Sequence, residues 1–527
     1  MDFLSLLPTI LLALGLVLII YNIWRLKNSS DDETNKKVQE APEIAGGLPL
    51  IGHLHILFRA KGTPLARTFS SFDDKYGPIF QIRLGSCPAI VVSNKDAIKE
   101  CFTTNDLALA SRPKSSPEIH LHYSFAVGFA AAPYGPYWTK MRKLVMVELL
   151  SPRRIDSLRH VFESEIDHFI HDLMSYLGGA SKVKVVMSEW LERLSFNIIT
   201  RMIAGKSFNY LKNVDDKEAN RILKLIREFT HIVGEFVPSD LIPIIGWFPI
   251  EGQVLKNRKR IGKDMDKLVG SWVEEHQHMK IEFDNNNETS EKQDLIDVML
   301  SVIEDDPSSG LTRDNIIKAN VTNLIIGGSD TTAISMTWIL TMLLSNKHVL
   351  KRAQEEIDLH VSKNRKVEAS DVKNLVYLQA ILKETLRLYP PAPLSIPHEA
   401  REDFYIHGYY VPKGTRVFAN VWKLHRDPSI WSEPEKFSPE RFINGNGELN
   451  EDHHLEYLPF GLGRRACPGY TFATQVILMS LARFLQSFDL DTAMDDEPVD
   501  IREGFGLTLP KLTPLTILLT PRANASI

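Results

Sequence analysis

Residues 460–469 read Phe-Gly-Leu-Gly-Arg-Arg-Ala-Cys-Pro-Gly, and this stretch decides how the rest of the chain is interpreted. Glycines on both sides of Cys467 let the backbone pass close to a flat ligand and leave N–H groups that can point at the sulfur. Neighbouring arginines and unpaired N–H groups lower the pKa of a thiol, so we expect Cys467 to be a thiolate that binds a soft metal. A lone cysteine is more often an ordinary buried residue on a turn, but this ten-residue setting favours a ligand.

A buried ion pair is predicted upstream, in the apolar stretch Val-Tyr-Leu-Gln-Ala-Ile-Leu-Lys-Glu-Thr-Leu-Arg-Leu of residues 376–388. Glu384 and Arg387 stand three residues apart, so they share one face of a helix and can pair. Such pairs are common on solvated faces, but the apolar neighbours favour burial here. Because a buried pair needs further partners, Arg441 of the segment Pro-Glu-Arg-Phe is the predicted third member.

Two adjacent glycines, Gly327 and Gly328, interrupt a long helical pattern over 312–345. Together they cost about 2 kcal/mol relative to two alanines. Close approach of a ligand to the backbone would compensate, and a packing gap with a helix bend is an equal alternative. Asp330 and Thr331 follow the glycines and offer an acid and a hydroxyl, which can relay protons to bound dioxygen.

Trp138 and Arg142 form the fourth pattern. Their i, i+4 spacing places them on one helix face. The indole N–H and the guanidinium could bind one carboxylate together. A surface cation–π pair explains this spacing equally well when it is taken alone.

Composition limits the class of protein. The 527 residues are 44% hydrophobic, which is enough to bury a large core, and we expect one large domain because no linker-like break divides the body. The net charge of −5 gives no electrostatic reason to expect a nucleic-acid partner. Three cysteines cannot form a disulfide framework, so most of the chain is expected in a reducing compartment.

The N-terminal segment differs from the rest. Residues 3–24 are almost wholly apolar, which is long enough to cross a hydrocarbon core of about 30 Å as a helix. No basic residue precedes this run and no small-residue cleavage site follows it, so an uncleaved anchor is favoured over a signal peptide. Basic residues directly after it favour a cytosolic body. We therefore divide the chain into a transmembrane anchor (1–27), a polar linker with a proline elbow (28–55) and a main domain (56–527).

The main domain is predicted to be mainly α-helical with small β-sheets. Segments rich in β-branched residues predict strands at 79–84 and 89–92, around 405–411 and 416–420, and at the end of the chain. A polar run at 283–293 predicts a loop. Amphipathic patterns predict the helices 157–177, 189–204, 218–233 and 253–280. Further helical patterns predict the helices 312–345, 347–361, 375–389 and 470–488.

Together these residues resemble the cytochrome P450 family of heme-thiolate monooxygenases. The resemblance runs in the family's order from the anchor to the last helix, and its cysteine loop is the most specific motif. It implies the cytochrome P450 fold behind a single N-terminal transmembrane helix, with heme b as the cofactor. Cys467 would be the axial ligand of the iron, with Phe460 packed beside the sulfur. The heme propionates would be held by Trp138, Arg142, His398 and Arg465.

The resemblance also implies roles for residues away from the cysteine. Glu384, Arg387 and Arg441 would form the family's structural triad, and Asp330 and Thr331 would manage proton delivery. The implied reaction is reductive activation of dioxygen followed by insertion of one oxygen atom into a substrate. Electron donation by a thiolate favours the O–O cleavage that this reaction needs.

Within the family, phrases such as Gly-Pro-Ile-Phe-Gln-Ile-Arg-Leu-Gly are similar to plant microsomal enzymes of the branch with nicotine demethylase, flavone hydroxylases and poppy alkaloid hydroxylases. That branch implies a hydrophobic plant specialised metabolite, such as an alkaloid, flavonoid or terpenoid, that is hydroxylated, oxidatively dealkylated or cyclised. Glycine at position 327, where the family usually has alanine, would enlarge the space beside the heme. The residues expected to contact the substrate are Phe125, Asn323, Ile326, Gly327, Leu394 and Phe505.

Electrons must come from another protein, because no glycine fingerprint for a nicotinamide or flavin is evident in a strand–helix context. The resemblance implies NADPH–cytochrome P450 reductase as the donor, with cytochrome b5 as a second candidate. It also implies a single-pass protein of the endoplasmic reticulum membrane whose catalytic domain faces the cytosol. Docking is expected near the cysteine face, where positive charge is supplied by Lys140, Arg142, Lys143 and Arg464.

Two other functions are compatible with this fold. Some heme-thiolate enzymes isomerise or dehydrate hydroperoxides without a reductase, but they typically lack the acid–threonine pair that Asp330 and Thr331 provide. A membrane-anchored heme-binding protein without turnover is the other alternative. Consumption of NADPH and oxygen by membranes in the presence of a substrate would separate both from a monooxygenase.

Overall fold

The positions of the elements come from a computed structural model of the chain. It describes residues 15, 38–60, 62–113, 126–180, 182–208, 210, 217–234, 241–242, 252–286, 293–361, 365–450, 455–493 and 498–522. Apart from Gly15, the predicted anchor lies outside the described residues, and so does Phe125. In the described part of the chain, we find no helix that combines the length and the apolar composition needed to span a bilayer.

The described chain is mainly helical, as the sequence predicts. The α-helices, in chain order, are Leu54–Arg59, Leu65–Tyr76, Lys95–Phe102, Pro136–Leu144, Pro152–Ser157, Arg159–Leu177, Met187–Ala204, Lys217–Gly234, Gly252–Asn286, Leu295–Val302, Arg313–Ser345, Lys347–His360, Ala369–Val372, Val376–Leu388, Val421–Leu424 and Tyr470–Ser487. A π-helical turn, Val145–Leu149, extends the fourth of these, and short 3₁₀ turns cover Pro439–Phe442 and Gly463–Arg465.

Within the described residues, nine short strands form three small sheets. They are β1 (Ile79–Leu84), β2 (Cys87–Val92), β3 (Val183–Val186), β4 (His398–Glu399), β5 (Phe404–Ile406), β6 (Tyr409–Val411), β7 (Arg416–Ala419), β8 (Phe488–Thr492) and β9 (Thr516–Pro521). The largest sheet has the order β1-β2-β7-β4, in which β2 and β7 are parallel and the other neighbours are antiparallel. The others are β3-β9-β8 and the hairpin β5-β6, both antiparallel.

The helix Arg313–Ser345, called the central helix below, organises the core. The Thr312 side chain accepts from the Asn315 N–H and caps its first turn. Buried side chains cover nearly its whole circumference, which is the pattern of a helix enclosed on all sides. It packs along the helix Met187–Ala204 and also contacts Val376–Leu388 and Tyr470–Ser487. Any ligand that reaches this helix therefore lies deep in the protein.

The second half of the predicted elbow packs on the body. The Ile44 N–H donates to the Gln81 carbonyl at 3.1 Å, and the Gln81 N–H donates to the Pro42 carbonyl at 2.9 Å. Ala41 and Ile44 are buried. The prolines and glycines keep this segment out of regular structure, and β1 holds it in place as part of the domain.

Two local expectations are wrong in detail. The predicted strand at 405–411 is two strands, β5 and β6, because His407 and Gly408 adopt φ of 50° and 84° and form the tight turn of a hairpin. The predicted loop at 283–293 begins too early, since the helix Gly252–Asn286 continues through its first four residues. The remaining long helices begin and end within a few residues of the predicted bounds.

Candidate active site

A deep cavity lies between the central helix and the segment 458–469, called the cysteine loop below. The walls of the cavity away from the cysteine loop are mostly apolar, and its charged side chains lie around the cysteine loop. Eight residues that the sequence singled out for the cofactor, the protons or the substrate line it. They are Arg142, Asn323, Gly327, Thr331, His398, Phe460, Arg465 and Cys467.

The cysteine loop turns sharply to present the Cys467 sulfur to the cavity. Gly463 has a φ of 73°, and a side chain there would collide with the carboxylate of Asp106, so this position requires glycine. The Cys467 N–H donates to the Phe460 carbonyl at 2.8 Å and closes the turn. Phe460 lines the same cavity as Cys467. The loop therefore holds the thiol in one position facing the central helix.

The sulfur is open to the cavity although it lies deep within the protein. Burial raises the pKa of the Cys467 thiol, and this effect exceeds the lowering of the pKa by the Gly469 N–H and the Arg142 guanidinium. The arginine and N–H groups predicted from the sequence are present, but they do not by themselves favour the thiolate. A metal cation on the sulfur would supply the missing stabilisation, since coordination deprotonates a thiol outright.

Three arginines meet beside the cysteine loop. Arg112, Arg142 and Arg465 all line the cavity, and the partners found for their guanidinium groups are backbone carbonyls, such as those of Ile396 for Arg112 and Ala132 for Arg465, both at 2.7 Å. Burial, with a smaller contribution from the neighbouring arginines, lowers the pKa of Arg465 to about 8 and that of Arg112 to about 9. Among the described residues, no carboxylate lines the cavity. This cluster therefore fits a ligand that carries negative charge.

His398 on β4 lies next to this cluster. Its Nδ1 is 2.7 Å from the Leu109 carbonyl, so Nδ1 carries the proton and donates it. Burial, assisted by Arg112 and Arg465, holds the pKa of His398 well below its ordinary value. The imidazole is therefore neutral, and it adds no further positive charge to the three arginines.

The ion pair predicted from the sequence is fully buried behind the cysteine loop. Arg387 donates to both carboxylate oxygens of Glu384, at 2.7 and 2.9 Å, and Arg441 donates to Glu384 at 3.0 Å. Arg387 also donates to the carbonyls of His425 and Pro434, at 2.6 and 2.7 Å. Its donors are thus satisfied, which offsets the cost of burying the charges. The structure brings Glu384, Arg387 and Arg441 into one network.

The two glycines of the central helix have different surroundings. A side chain at Gly328 would contact the end of the Ile199 side chain on the helix Met187–Ala204 and force it to shift, so this glycine permits close helix packing. Gly327 faces open space in the cavity. The open space at Gly327 fits the close approach of a ligand, one of the two explanations that the sequence left open, whereas the close helix packing at Gly328 was anticipated by neither explanation. The helix itself continues through both residues without interruption.

Thr331 and Asp330 also point in different directions. The Thr331 hydroxyl lines the cavity and donates to the Gly327 carbonyl at 2.7 Å. The Asp330 carboxylate is not part of the cavity lining and accepts from the Thr508 hydroxyl at 2.9 Å. Burial raises the pKa of Asp330. The predicted relay pair is therefore adjacent in sequence but divided between the cavity and the C-terminal segment.

The turn 126–132 connects the two walls of the cavity. The side chains of Asn320 and Asn323, one turn apart on the central helix, accept from the N–H groups of Phe129 and Ala130, at 3.2 and 2.9 Å. From the other wall, Arg465 donates to a carbonyl of the same turn at 2.7 Å. Phe129, Ala130 and Asn323 line the cavity, so these hydrogen bonds set part of its shape.

Comparison with known proteins gives a direct result. The family model for cytochrome P450 matches residues 42–518. The chain belongs to the cytochrome P450 family. A zebrafish cytochrome P450 structure with abiraterone superposes with a TM-score of 0.70 at 26% identity, and the match covers 87% of this chain and 100% of that one. The predicted cytochrome P450 fold, mainly helical with small sheets, is thereby confirmed.

Plant members of the cytochrome P450 family are much more similar. Cytochrome P450 CYP82J17 of Trigonella foenum-graecum is 62% identical over 99% of this chain and 98% of its own. Flavonoid-6-hydroxylase of Mentha piperita is 45% identical over 93% and 94%, and nicotine N-demethylase CYP82E3 of Nicotiana tomentosiformis is 43% identical over 96% and 97%. The predicted branch is therefore confirmed, and the chain is a monooxygenase of this family.

The cavity fits the heme b of a cytochrome P450. The open Cys467 sulfur would bind the iron as a thiolate, and the cluster of Arg112, Arg142 and Arg465, which no carboxylate of the described lining faces, would bind the two heme propionates. The Arg112 Nε atom is buried and has no hydrogen-bond partner, which is the state expected of a donor whose ligand is an anion. Phe460 of the cysteine loop and Gly327 of the central helix both line the cavity that would hold the heme.

Several predicted site residues lie elsewhere. The Trp138 indole N–H donates to the Phe129 carbonyl at 2.9 Å, and its ring lies 4.1 Å from the Arg465 guanidinium, so it supports an arginine and is not part of the cavity lining. Leu394 packs against the largest sheet, and Phe505 is 52% exposed. Ile326, also outside the lining, is buried in the helical core. Phe125 lies outside the described residues.

Sequence reasoning missed Arg112 and Asn320. Arg112 precedes a proline and carries no spacing signal, and only the tertiary fold brings it to the other two arginines. Asn320 stands three residues before Asn323, so the pair does share a face of the central helix. Two asparagines on one face of an otherwise apolar helix could have indicated a bound backbone segment.

Proposed function

We propose that this cytochrome P450 oxidises a neutral, hydrophobic aromatic or terpenoid metabolite of plant specialised metabolism. The observation that carries the proposal is the character of the cavity on the side of the central helix. Its walls there are formed by apolar side chains, including Ile199, Met202, Ile203, Leu324 and Phe129. Polar contact comes mainly from Asn323, Thr331 and Ser335. Such a lining suits a flat, apolar molecule with few polar anchors.

The charge of the cavity argues against a cationic substrate. In the described part of the chain, no carboxylate faces the cavity, and its three charged side chains are arginines. A protonated amine would lack a counter-ion there. The relatives include one named for a flavonoid, a neutral compound, and one named for nicotine, an amine. The lining supports a neutral compound for this chain.

When bound, heme supplies the iron at which dioxygen is reduced and one oxygen atom is passed to the substrate. The residues of the chain have three tasks around it in this proposal. Arg112, Arg142 and Arg465 bind the propionates and fix the orientation of the macrocycle. The apolar face of the central helix excludes water and holds the substrate over the iron. The Thr331 hydroxyl donates a proton on the cavity side, and Asp330 replenishes it from the outside.

The electron donor in this proposal is NADPH–cytochrome P450 reductase, with cytochrome b5 as a second donor. Lys140 and Lys143 are exposed near the cysteine face and would contact an acidic partner. Two of the four basic residues predicted for docking are engaged otherwise, because Arg142 faces the cavity and Arg464 pairs with Asp106 at 2.9 Å. The docking charge therefore falls on the two lysines.

We also propose the membrane arrangement predicted from the sequence, with residues 1–27 as an anchor in the endoplasmic reticulum and the catalytic domain in the cytosol. Its support is the apolar run at 3–24 and the absence of acidic or basic residues within it. Deleting residues 1–25 should release the protein from membranes while heme binding survives. Loss of heme from a folded truncation would contradict the separation of anchor and body.

The substrate class is tested by the shift of the heme spin state in purified holoenzyme. Flavones, furanocoumarins and mono- and sesquiterpenes are compared with nicotine and other tertiary amines of similar size. Neutral compounds should give the larger spin shift and should stimulate NADPH consumption with formation of an oxygenated product. Tighter binding of the amines, increasing with the fraction protonated, would overturn the assignment of a neutral substrate.

A further inference from the structure

The C-terminal segment 502–512 forms a hairpin whose inner side is attached to the central helix. The Gly504 N–H donates to the Pro510 carbonyl at 2.7 Å, and the Leu512 N–H donates to the Arg502 carbonyl at 2.8 Å, which closes the hairpin. Two consecutive residues connect it to the central helix. The Trp338 indole N–H donates to the Leu509 carbonyl at 2.8 Å, and the Thr508 hydroxyl donates to Asp330 at 2.9 Å.

The two hydrogen bonds differ in what they control. The first joins a fully buried core tryptophan to a backbone atom, and it fixes where the hairpin lies. The second joins two side chains, and one of them is the carboxylate adjacent to Thr331, whose hydroxyl lines the cavity. Thr508 is itself outside the cavity lining, so it is not a substrate contact. Its hydroxyl directs the Asp330 carboxylate away from the cavity and toward the hairpin.

The charged groups around Asp330 come from two other helices. Glu192 belongs to the helix Met187–Ala204 and Arg227 to the helix Lys217–Gly234, and the two form an ion pair with each other. Burial, the largest effect, raises the pKa of Asp330, and Glu192 raises it further. The Thr508 hydrogen bond and Arg227 lower it. Because these influences oppose one another, the loss of one hydrogen bond is expected to change the pKa of Asp330.

We propose that Thr508 is a positioning residue for Asp330, which sets the orientation of the carboxyl group and so makes proton delivery depend on one hydrogen bond from the C-terminal hairpin. This proposal rests on the proposed role of Asp330 in replenishing the proton on Thr331. While the hydrogen bond is made, the carboxyl group is held on the outer side of the central helix, near Glu192 and Arg227. When the Thr508 hydrogen bond breaks, the carboxyl group is free to turn toward Thr331, while Leu509 stays attached to Trp338. Rupture of this one hydrogen bond thus becomes a step between proton uptake and proton delivery.

The chain offers a matched control for this hydrogen bond. Thr513, directly after the hairpin, donates its hydroxyl to Asp500 at 2.7 Å and accepts from the Lys511 ammonium group at 2.7 Å. Thr508→Val and Thr513→Val each remove one threonine–aspartate hydrogen bond with little change in side-chain volume. Only the first touches the central helix. Thr508→Ser keeps the hydroxyl and serves as the conservative variant.

The first readout is the protonation of Asp330 in the holoenzyme, which pH-difference infrared spectroscopy monitors. The carboxyl band of Asp330 is identified as the band that Asp330→Asn removes. A hydroxyl that donates to a carboxylate stabilises its charged form, so its loss raises the midpoint. Thr508→Val should shift the midpoint upward by about one pH unit, the size expected for a hydrogen bond to a charged group. Thr508→Ser should restore the midpoint, and Thr513→Val should leave it unchanged.

The second readout is NADPH oxidation and hydrogen peroxide yield in holoenzyme reconstituted with the reductase, measured across pH. In the pH profile, the limb that Asp330→Asn abolishes should shift to higher pH in Thr508→Val, by the same number of pH units as the infrared midpoint. An unshifted midpoint or limb in Thr508→Val, or an equal shift in Thr513→Val, would overturn the positioning role. If Asp330→Asn changes neither peroxide yield nor the pH profile, the relay role of Asp330 fails instead, so the two failures are distinguishable.

Discussion

The wall of the cavity that carries Cys467 and the wall formed by the central helix are held together in different ways. On the cysteine side, Arg387 alone makes hydrogen bonds to Glu384 and to backbone carbonyls in three other residues, and all of these atoms are buried or nearly so. On the helix side, apolar packing dominates, and single hydrogen bonds such as that between Thr508 and Asp330 attach the surrounding segments.

This difference matches the tasks of the two walls. The cysteine wall holds a metal ligand and a cofactor, which need one fixed geometry, and a fully satisfied polar network gives a unique arrangement. The helix wall has to fit one substrate among many possible in the family, and apolar packing tolerates exchange of side chains as long as volume is kept. Substitutions in the cysteine wall should therefore remove function, whereas those in the helix wall should alter it.

The largest effect is expected at Cys467 itself. Cys467→His should abolish the strongly red-shifted Soret band of the reduced carbonyl complex together with the oxygenase activity, because the thiolate is the donor that favours O–O cleavage. The matched control is Cys87→Ser on β2, where the thiol is half-buried and outside the cavity lining. Retention of the band and the activity in Cys467→His would show that another residue binds the iron.

The next largest effect is expected at the triad. Arg387→Lys removes the bidentate contact with Glu384 and should lower the free energy of unfolding by about 3–5 kcal/mol, with loss of heme from much of the protein. Arg352→Lys is the control, since Arg352 and Glu440 form an exposed pair at 2.9 Å worth at most about 1 kcal/mol. Denaturant unfolding and heme content measure both. Equal losses in the free energy of unfolding for the two variants would contradict the difference between the two walls.

On the helix wall, Thr331→Ala should uncouple turnover without disturbing the fold. The heme and the substrate should still bind, but product per NADPH should fall several-fold while hydrogen peroxide rises, because the proton on the cavity side arrives at the wrong time. Thr322→Ala is matched, since Thr322 also donates to the carbonyl four residues earlier, at 2.8 Å, and lies outside the cavity lining. Unchanged coupling in Thr331→Ala would leave its hydroxyl with only a helical role.

The smallest effect is expected at the two asparagines. Asn320→Ala and Asn323→Ala each leave one N–H of the turn 126–132 without its partner, at a cost of about 1–3 kcal/mol. Only Asn323 lines the cavity, so Asn323→Ala should in addition change substrate affinity and the ratio of products several-fold. Spin-shift titration and product analysis test this. An equally large change of product ratio in Asn320→Ala would mean that the turn, and not the Asn323 side chain, determines which products form.

Local patterns were sufficient for most of the fold. Content of β-branched residues predicts β1, and a long helical pattern predicts the central helix, each to within one residue, because each signal lies in the residues of the element itself. The errors occur where a turn or a tertiary contact decides the structure without leaving a signal in the local pattern, as at the hairpin of β5 and β6. For the cavity, Cys467, Phe460 and Arg465 follow from one contiguous motif, whereas Asp330 was expected to face the cavity and instead contacts a residue far away in sequence.

The sequence by itself determined the family, the metal ligand, the buried ion pair and the helical architecture, because each depends on residues that are close together or separated by a helical spacing. The tertiary structure alone decided that Arg112 joins two other arginines, that Asn320 and Asn323 hold the turn 126–132, and that Thr508 binds Asp330. It also decided that burial raises the pKa of Cys467. These features depend on desolvation and on contacts between distant segments, and neither quantity exists until the chain has folded.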